Sequence, residues 1–388
     1  MSNLKDAVIV AYGRSPIGRA TKGTLVGEYP VKLATEVLQG VLEKVPNLPL
    51  EEIDDIIVGC STPEDVQGFN MARIIVIRAG LPDEVCGVTV SRFCSSGLQS
   101  IAYAANEIMA DQADIVIAGG VESMSMLPMT ALDLTALDPK IFKERASCYL
   151  PMGTTAEVLT DMFDIAREDM DKFSLLSHQK ASKAQKEGAF KKEIIPVTYT
   201  DKNGAIEVFA EDECIKHDAS YEALSKLPAA FKENGSVTAG NSSPMNDGMA
   251  FVIMMSAQKA AQLNIKPIAK FLGYQVAGVD PVMMGIGPVY AVPKLLNRIG
   301  MELEQFDIIE LNEAFAVQSL ICIEQLGLNL DKVNPRGGAI ALGHPLGATG
   351  AILMCKALSY LEDTGGKYGM ISMCIGAGMG AAGAIEML

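Results

Sequence analysis

Along the first 120 residues, short apolar runs alternate with longer stretches whose apolar positions recur at helical spacing. Strand-like runs lie at 7–11, 56–59, 87–90 and 115–118, and helical stretches between them include 33–45 and 97–109. Alternation of this kind predicts βαβ units, a mostly parallel sheet and right-handed crossovers. From about residue 271 the rhythm returns, with strands predicted at 306–310 and 370–373 and helices at 315–326 and 350–361.

The two regions share a finer pattern. Ser96-Gly97-Leu98 opens one apolar helix and Thr349-Gly350-Ala351 opens another. Each helix leads to a hydrophobic strand ending in small residues, Ala118-Gly119-Gly120 and Cys374-Ile375-Gly376. This predicts an internal duplication. Between the two, from about 124 to 245, lysines, glutamates, prolines and irregular runs dominate. A segment that long between βαβ blocks reads as an inserted lobe rather than one loop. A strand at 250–255 and a helix at 257–263 return the chain to its first half. The expected division is an N-terminal half at 1–123 completed by 246–270, an inserted segment at 124–245, and a C-terminal half at 271–388.

Composition narrows the class. At 388 residues, with 49% hydrophobic and 20% charged positions, the chain can bury a large core spread over two or three domains. A net charge of −15 argues against a general role on nucleic acid or acidic membrane, where a basic patch is expected. It leaves room for a phosphorylated ligand held in a local pocket. Eight cysteines without CxxC pairs fit neither a zinc site nor a disulfide framework and point to a reducing compartment. The strand-like run at 7–11 leaves no space for a signal peptide, and no apolar run reaches membrane-spanning length. A cytoplasmic protein is expected.

Four places carry candidate chemistry. Cys94, in Val90-Ser91-Arg92-Phe93-Cys94-Ser95-Ser96-Gly97-Leu98, follows a strand and precedes a helix. A thiol at a helix N-terminus is favoured as thiolate by the helix dipole; the alternative is a buried structural cysteine. Of three histidines, His178 and His217 sit in polar surroundings and read as surface residues. His344 is flanked by five glycines between Gly337 and Gly350, which permit close backbone approach. It reads either as a general base or as a satisfied imidazole in a tight turn. Cys374 ends a strand before the glycine-rich turn Gly376-Ala377-Gly378, whose backbone N–H groups can face an oxyanion. Asn312 stands at a strand–helix junction, as a helix cap or as an amide aimed at a bound water.

These motifs, in this order and over essentially the whole chain, resemble the thiolase family. Gly119-Gly120-Val121-Glu122-Ser123-Met124-Ser125, Ala239-Gly240-Asn241-Ser242-Ser243 and Met284-Gly285-Ile286-Gly287-Pro288 match it as well. The resemblance implies an α/β fold of duplicated halves in five layers, α-β-α-β-α, with an inserted coenzyme A-binding segment. It implies Cys94 as acyl-accepting nucleophile, His344 as its base and Cys374 as the acid at the carbon α to the thioester. Asn312 would hold a water that, with His344, faces the enolate oxygen. The N–H groups of Cys94 and Gly376 would form a second oxyanion hole. Ser243 would contact the pantetheine, and Met284 and Phe315 would line its slot, unless those two are ordinary core. Coenzyme A and its thioesters would be substrates, with no permanently bound cofactor. A homodimer or homotetramer is implied, and some members join a β-oxidation multienzyme partner.

Subtype rests on a few positions: the run Arg92 to Gln99 and Pro63-Glu64 ahead of Gln67-Gly68 look like the degradative, broad-chain type of the family. The family's biosynthetic, acetoacetyl-forming type usually carries histidine before Met-Gly in the covering loop, where this chain has Pro151-Met152-Gly153. That favours 3-ketoacyl-CoA thiolysis, with acetyl-CoA condensation as the alternative. Two further readings differ in kind. A ketoacyl synthase shares the fold but needs a second histidine or an asparagine where Cys374 stands. A silent acyl-CoA-binding or scaffold protein need keep none of the four groups.

Overall fold

The computed structural model describes residues 4–128 and 137–388. Residues 1–3 and 129–136, which fall in the expected first half and inserted segment, lie outside the described residues. The N-terminal apolar run extends into a strand, β1 (Ala7–Arg14), every residue of which is buried. There follow β2 (Gly18–Arg19), α1 (Pro30–Leu42), β3 (Asp55–Gly59), α2 (Met71–Arg78), β4 (Val88–Val90), α3 (Ser96–Met109) and β5 (Ile115–Ser123). The next stretch holds α4 (Pro139–Arg145), α5 (Met152–Phe163), α6 (Arg167–Lys186), β6 (Val197–Thr200), β7 (Ile206–Phe209) and α7 (Tyr221–Ser225). Strands β6 and β7 pair as a separate two-stranded sheet. The chain then forms β8 (Asn246–Ser256), α8 (Ala257–Gln262), β9 (Ala269–Gly278), α9 (Gly287–Ile299), β10 (Ile308–Leu311) and α10 (Ala316–Leu326). It closes with α11 (Ala339–Leu342), α12 (Leu346–Thr364), β11 (Tyr368–Ile375) and β12 (Met379–Met387).

The main sheet runs β10-β11-β12-β9-β1-β8-β5-β3-β4. Its two halves meet where β1 pairs antiparallel with β9, Val8 opposite Lys270 and Ile9 opposite Ala269. Each half repeats one plan: β1, β8, β5 and β3 on one side match β9, β12, β11 and β10 on the other. β3 and β5 are parallel, as are β10 and β11. β8 and β12 run antiparallel to both of their neighbours. The sheet is therefore mixed, not mostly parallel as the alternation predicts. The cause in the second half is loop length: three residues join β11 to β12, far too few for a crossover, so the strands form a hairpin.

Helices α3 and α12 lie between the half-sheets. Leu98, Ile101, Ile352 and Leu358 pack with Ile9, Val116 and Met254 of one half and with Ile371, Met373 and Ile385 of the other. Outside, α1 and α2 cover the first half-sheet through Leu33, Val37 and Ile75. Helix α9 covers the second through Val292 and Leu295. The layers run α-β-α-β-α. The central helices touch through glycine: a Cβ on Gly350 would meet Leu98 N at 2.4 Å, and one on Gly97 would meet Ala351 N at 2.9 Å. The paired Ser-Gly-Leu and Thr-Gly-Ala openings are two sides of this one crossing.

Candidate active site

The crossing places the first turns of α3 and α12 side by side, and the candidate groups gather there. Cys94 sits in a single tight turn, Phe93–Ser95, that leads into α3. Phe93 holds a left-handed φ of 44°, a conformation that strains a bulky side chain and directs the next residue inward. Cys94 is only 3% exposed, but its sulfur borders a cavity of about 210 Å3 walled by Phe93, Tyr149, Leu150, Met152 and Leu346. Burial pushes its thiol up to about 11, against the opposing pull of the backbone N–H groups of Gly376 and Cys94 itself. The helix terminus therefore does not leave a resting thiolate, contrary to the expectation from sequence. Desolvation outweighs these backbone hydrogen bonds, and a base must take the proton during attack.

His344 follows Gly343, whose φ of 119° only glycine adopts readily. A Cβ there would also sit 2.5 Å from the Asn246 side chain. The open space lets Asn246 Oδ1 accept the His344 backbone N–H at 2.9 Å, while Asn246 Nδ2 donates to Gly18 O at 2.8 Å. The His344 ring lies between two partners: Nδ1 is 2.6 Å from Thr349 Oγ1, and Nε2 is 3.3 Å from Asn312 Nδ2. Burial lowers its pKa to about 4, so the imidazole is neutral at physiological pH. Asn312 Oδ1 is buried and has no hydrogen-bond partner among the described residues, leaving one free acceptor beside the ring.

Cys374 lies at the end of β11, beside the turn carrying Gly376. Its thiol is raised well above the ordinary value, first by burial and then by the nearby sulfurs of Cys94 and Cys322. It is thus a protonated sulfur close to Cys94. The structure brings Cys94, Gly376 and Cys374 together, pairs Asn312 with His344, and joins the two sets through Leu346, which shares the cavity wall with Cys94.

The remaining candidates vary. Ser243 is half-buried, and its N–H donates to Ala314 O at 3.0 Å, beside Phe315. Met284 and Phe315 are buried in one cluster with Cys374, and Phe231 meets Phe315 edge-on at 6.1 Å between centroids. His217 is exposed, as expected. His178 is not: it lies on the buried stripe of α6 with Met170, Ser174 and Ala181, and burial lowers its pKa to about 4. The polar composition of that helix hides a narrow apolar face.

Several residues without an assigned role in the sequence prove to hold the site. Glu122 accepts from Ser61 N at 2.9 Å, Gly347 N at 2.7 Å and Gln67 Nε2 at 2.8 Å. Glu313 accepts from Ser177 Oγ at 2.6 Å and Asn334 Nδ2 at 2.8 Å, fixing the segment next to Asn312. A lone carboxylate closing a strand as apolar as β5 was the available signal for Glu122; its partners are remote in sequence.

Comparison with known proteins places the whole chain. A family model described as "Thiolase, N-terminal domain" matches residues 7–258, and "Thiolase, C-terminal domain" matches 265–387. A 3-ketoacyl-CoA thiolase of Bacillus subtilis is 45% identical, covering 99% of this chain and 100% of its own. The crystal structure of Bacillus anthracis acetyl-CoA acetyltransferase superposes with a TM-score of 0.92 at 38% identity, covering both chains fully. That of human mitochondrial 3-ketoacyl-CoA thiolase does so at 0.91 and 36%, again over both full chains. The two family models cover 7–258 and 265–387, which hold every candidate group, and the chain belongs to the thiolase family.

Proposed function

We propose that the chain is a 3-ketoacyl-CoA thiolase, cleaving its substrate with coenzyme A to acetyl-CoA and a shortened acyl-CoA. Neutral His344 takes the Cys94 proton as the sulfur attacks the ketone carbon. The bond between that carbon and its α neighbour then breaks, and its electron pair moves onto the thioester oxygen as an enolate. A donor held by the free Asn312 Oδ1, together with His344, meets that charge. Cys374, kept protonated by burial, gives its proton to the α carbon, and acetyl-CoA departs. Coenzyme A then loses its thiol proton to the Cys374 sulfur and takes the acyl group from Cys94, whose proton returns from His344. Reversal condenses two acyl-CoA molecules.

The observation that carries this reading is the pairing of a protonated Cys374 with a buried Cys94 thiol whose sulfur faces two backbone N–H groups. The reading favours longer 3-ketoacyl chains over acetoacetyl synthesis, with the acyl chain in the cavity beside Cys94. Pro151, at the start of α5 and next to the cavity wall, supports the same choice. Residues 124–245 form the coenzyme A-binding segment in this reading, with Ser243, Met284 and Phe315 along the pantetheine. Coenzyme A and its thioesters are substrates, and no resident cofactor takes part. All eight cysteines lie among the described residues as free thiols, in keeping with a reducing compartment such as the cytoplasm. In keeping with the family, the working unit is a homodimer or a homotetramer.

Incubation with acetyl-CoA followed by mass analysis tests the core of this reading. An acetyl group should appear on the peptide carrying Cys94 and disappear on adding coenzyme A. An unmodified Cys94 ends the proposal. A series of 3-ketoacyl-CoA substrates compared by kcat/KM tests the subtype: preference for acetoacetyl-CoA over longer chains overturns it.

A further inference from the structure

We propose that Thr349 is a positioning residue that holds His344 in the tautomer with its proton on Nδ1, leaving Nε2 bare toward Asn312. This rests on the reading of His344 as the base, and goes beyond it by naming which nitrogen acts and what selects it.

The assignment follows from counting protons. Thr349 Oγ1 lies 2.6 Å from His344 Nδ1 and 2.9 Å from Pro345 O. A hydroxyl has one proton, and a carbonyl oxygen can only accept. Donating to Pro345 O, one turn back in the helix, leaves the hydroxyl a lone pair for Nδ1, so Nδ1 carries the hydrogen. The far side of the ring fits the same form: Asn312 Nδ2, which can only donate, faces Nε2 at 3.3 Å. The neutral form with its hydrogen on Nδ1 satisfies both contacts together.

The surroundings make the choice consequential. Thr349 and His344 are both buried, so a ring N–H without an acceptor is not rescued by solvent. The His344 main chain is separately held by Asn246. Ring position and proton position therefore have different supports, and loss of the hydroxyl acts on the second. Thr349 also lies in the first turns of α12, one residue before Gly350, whose contact with Leu98 anchors that helix against α3.

The test is ring nitrogen NMR on the intact enzyme labelled at histidine. With only three histidines, His344 is assigned by comparison with H178N and H217N. At neutral pH the wild type should show His344 with Nδ1 protonated and Nε2 bare. T349V keeps the branched shape and removes the hydroxyl; it should shift the ring toward the Nε2-protonated form. Its kcat should fall about 10- to 100-fold with KM changed less than about threefold, the range seen when an orienting partner of a working histidine is lost. T349S restores the hydroxyl and should recover both the tautomer and most of the rate. A wild-type ring protonated on Nε2 overturns the proposal without any variant, and so does T349V with an unaltered ring and rate, or T349S with no recovery. The wild-type spectrum also decides the matter should T349V not fold. The tautomer is read in the resting enzyme, so it stands apart from acylation of Cys94: a failure of either leaves the other result intact.

Discussion

The Glu122 carboxylate accepts the Gly347 N–H at 2.7 Å and so ties the end of β5 to the first turn of α12. Gly347 is three residues past His344, and a Cβ on it would lie 2.5 Å from Ser61 N. The same carboxylate holds Ser61, whose side chain borders the cavity at Cys94. One anion thereby locks the half that carries the nucleophile to the half that carries the imidazole. It also occupies the positive end of a 19-residue helix that has no side-chain cap.

Replacing Glu122 by glutamine removes this charge and leaves one buried N–H facing another donor. Stability should fall by about 1–3 kcal/mol, the usual penalty for an unsatisfied buried group. The charge also helps to keep the Cys94 thiol protonated, so its loss should lower that pKa. Iodoacetamide modification of the Cys94 peptide, followed against pH, should reach half-maximal rate at lower pH in E122Q. An unchanged profile contradicts the electrostatic role.

Two buried histidines predict a loss of stability in acid. His178 and His344 both have pKa values lowered to about 4 by burial, below the ordinary 6.5. The unfolded chain therefore binds their protons first, so stability is full above about pH 6.5 and is lost as pH falls toward 4. Each residue accounts for at most about 3 kcal/mol of that loss. Urea unfolding at about pH 7.5 and about pH 4.5 should show the decline, and H178Q should reduce it. An equal decline in H178Q excludes His178 as a source.

Cys374→Ser separates the two halves of the chemistry. The variant should still form acetyl-Cys94, because His344 and the Gly376 N–H are untouched, yet thiolysis should drop by at least about 100-fold for want of a suitable acid. Equal turnover would remove Cys374 from the mechanism.

The glycine crossing should be intolerant of any side chain. Gly350→Ala places a methyl 2.4 Å from Leu98 N, against backbone of a neighbouring helix that cannot yield cheaply. A loss of about 1–3 kcal/mol or more is expected in denaturant titration. Gly278→Ala, where a Cβ meets nothing within 4 Å, is the control and should be near neutral. Similar losses at both positions would show that the crossing is not specially tight.

Much of this architecture is legible one residue at a time. Apolar runs place β1, β3, β5 and β11, helical spacing places α3, α10 and α12, and repeated glycine openings reveal the duplication, because each signal is local in the chain. Thiol, imidazole and amide at strand–helix junctions are likewise visible before folding, and family likeness supplies their order. What sequence alone could not decide depends on contacts between distant segments. The direction of β8, the burial of His178, the upward shift of Cys94 and the clasp of Glu122 on Gly347 all arise when the halves close around α3 and α12. Desolvation and hydrogen bonding act between neighbours in space, and only tertiary packing determines which neighbours those are.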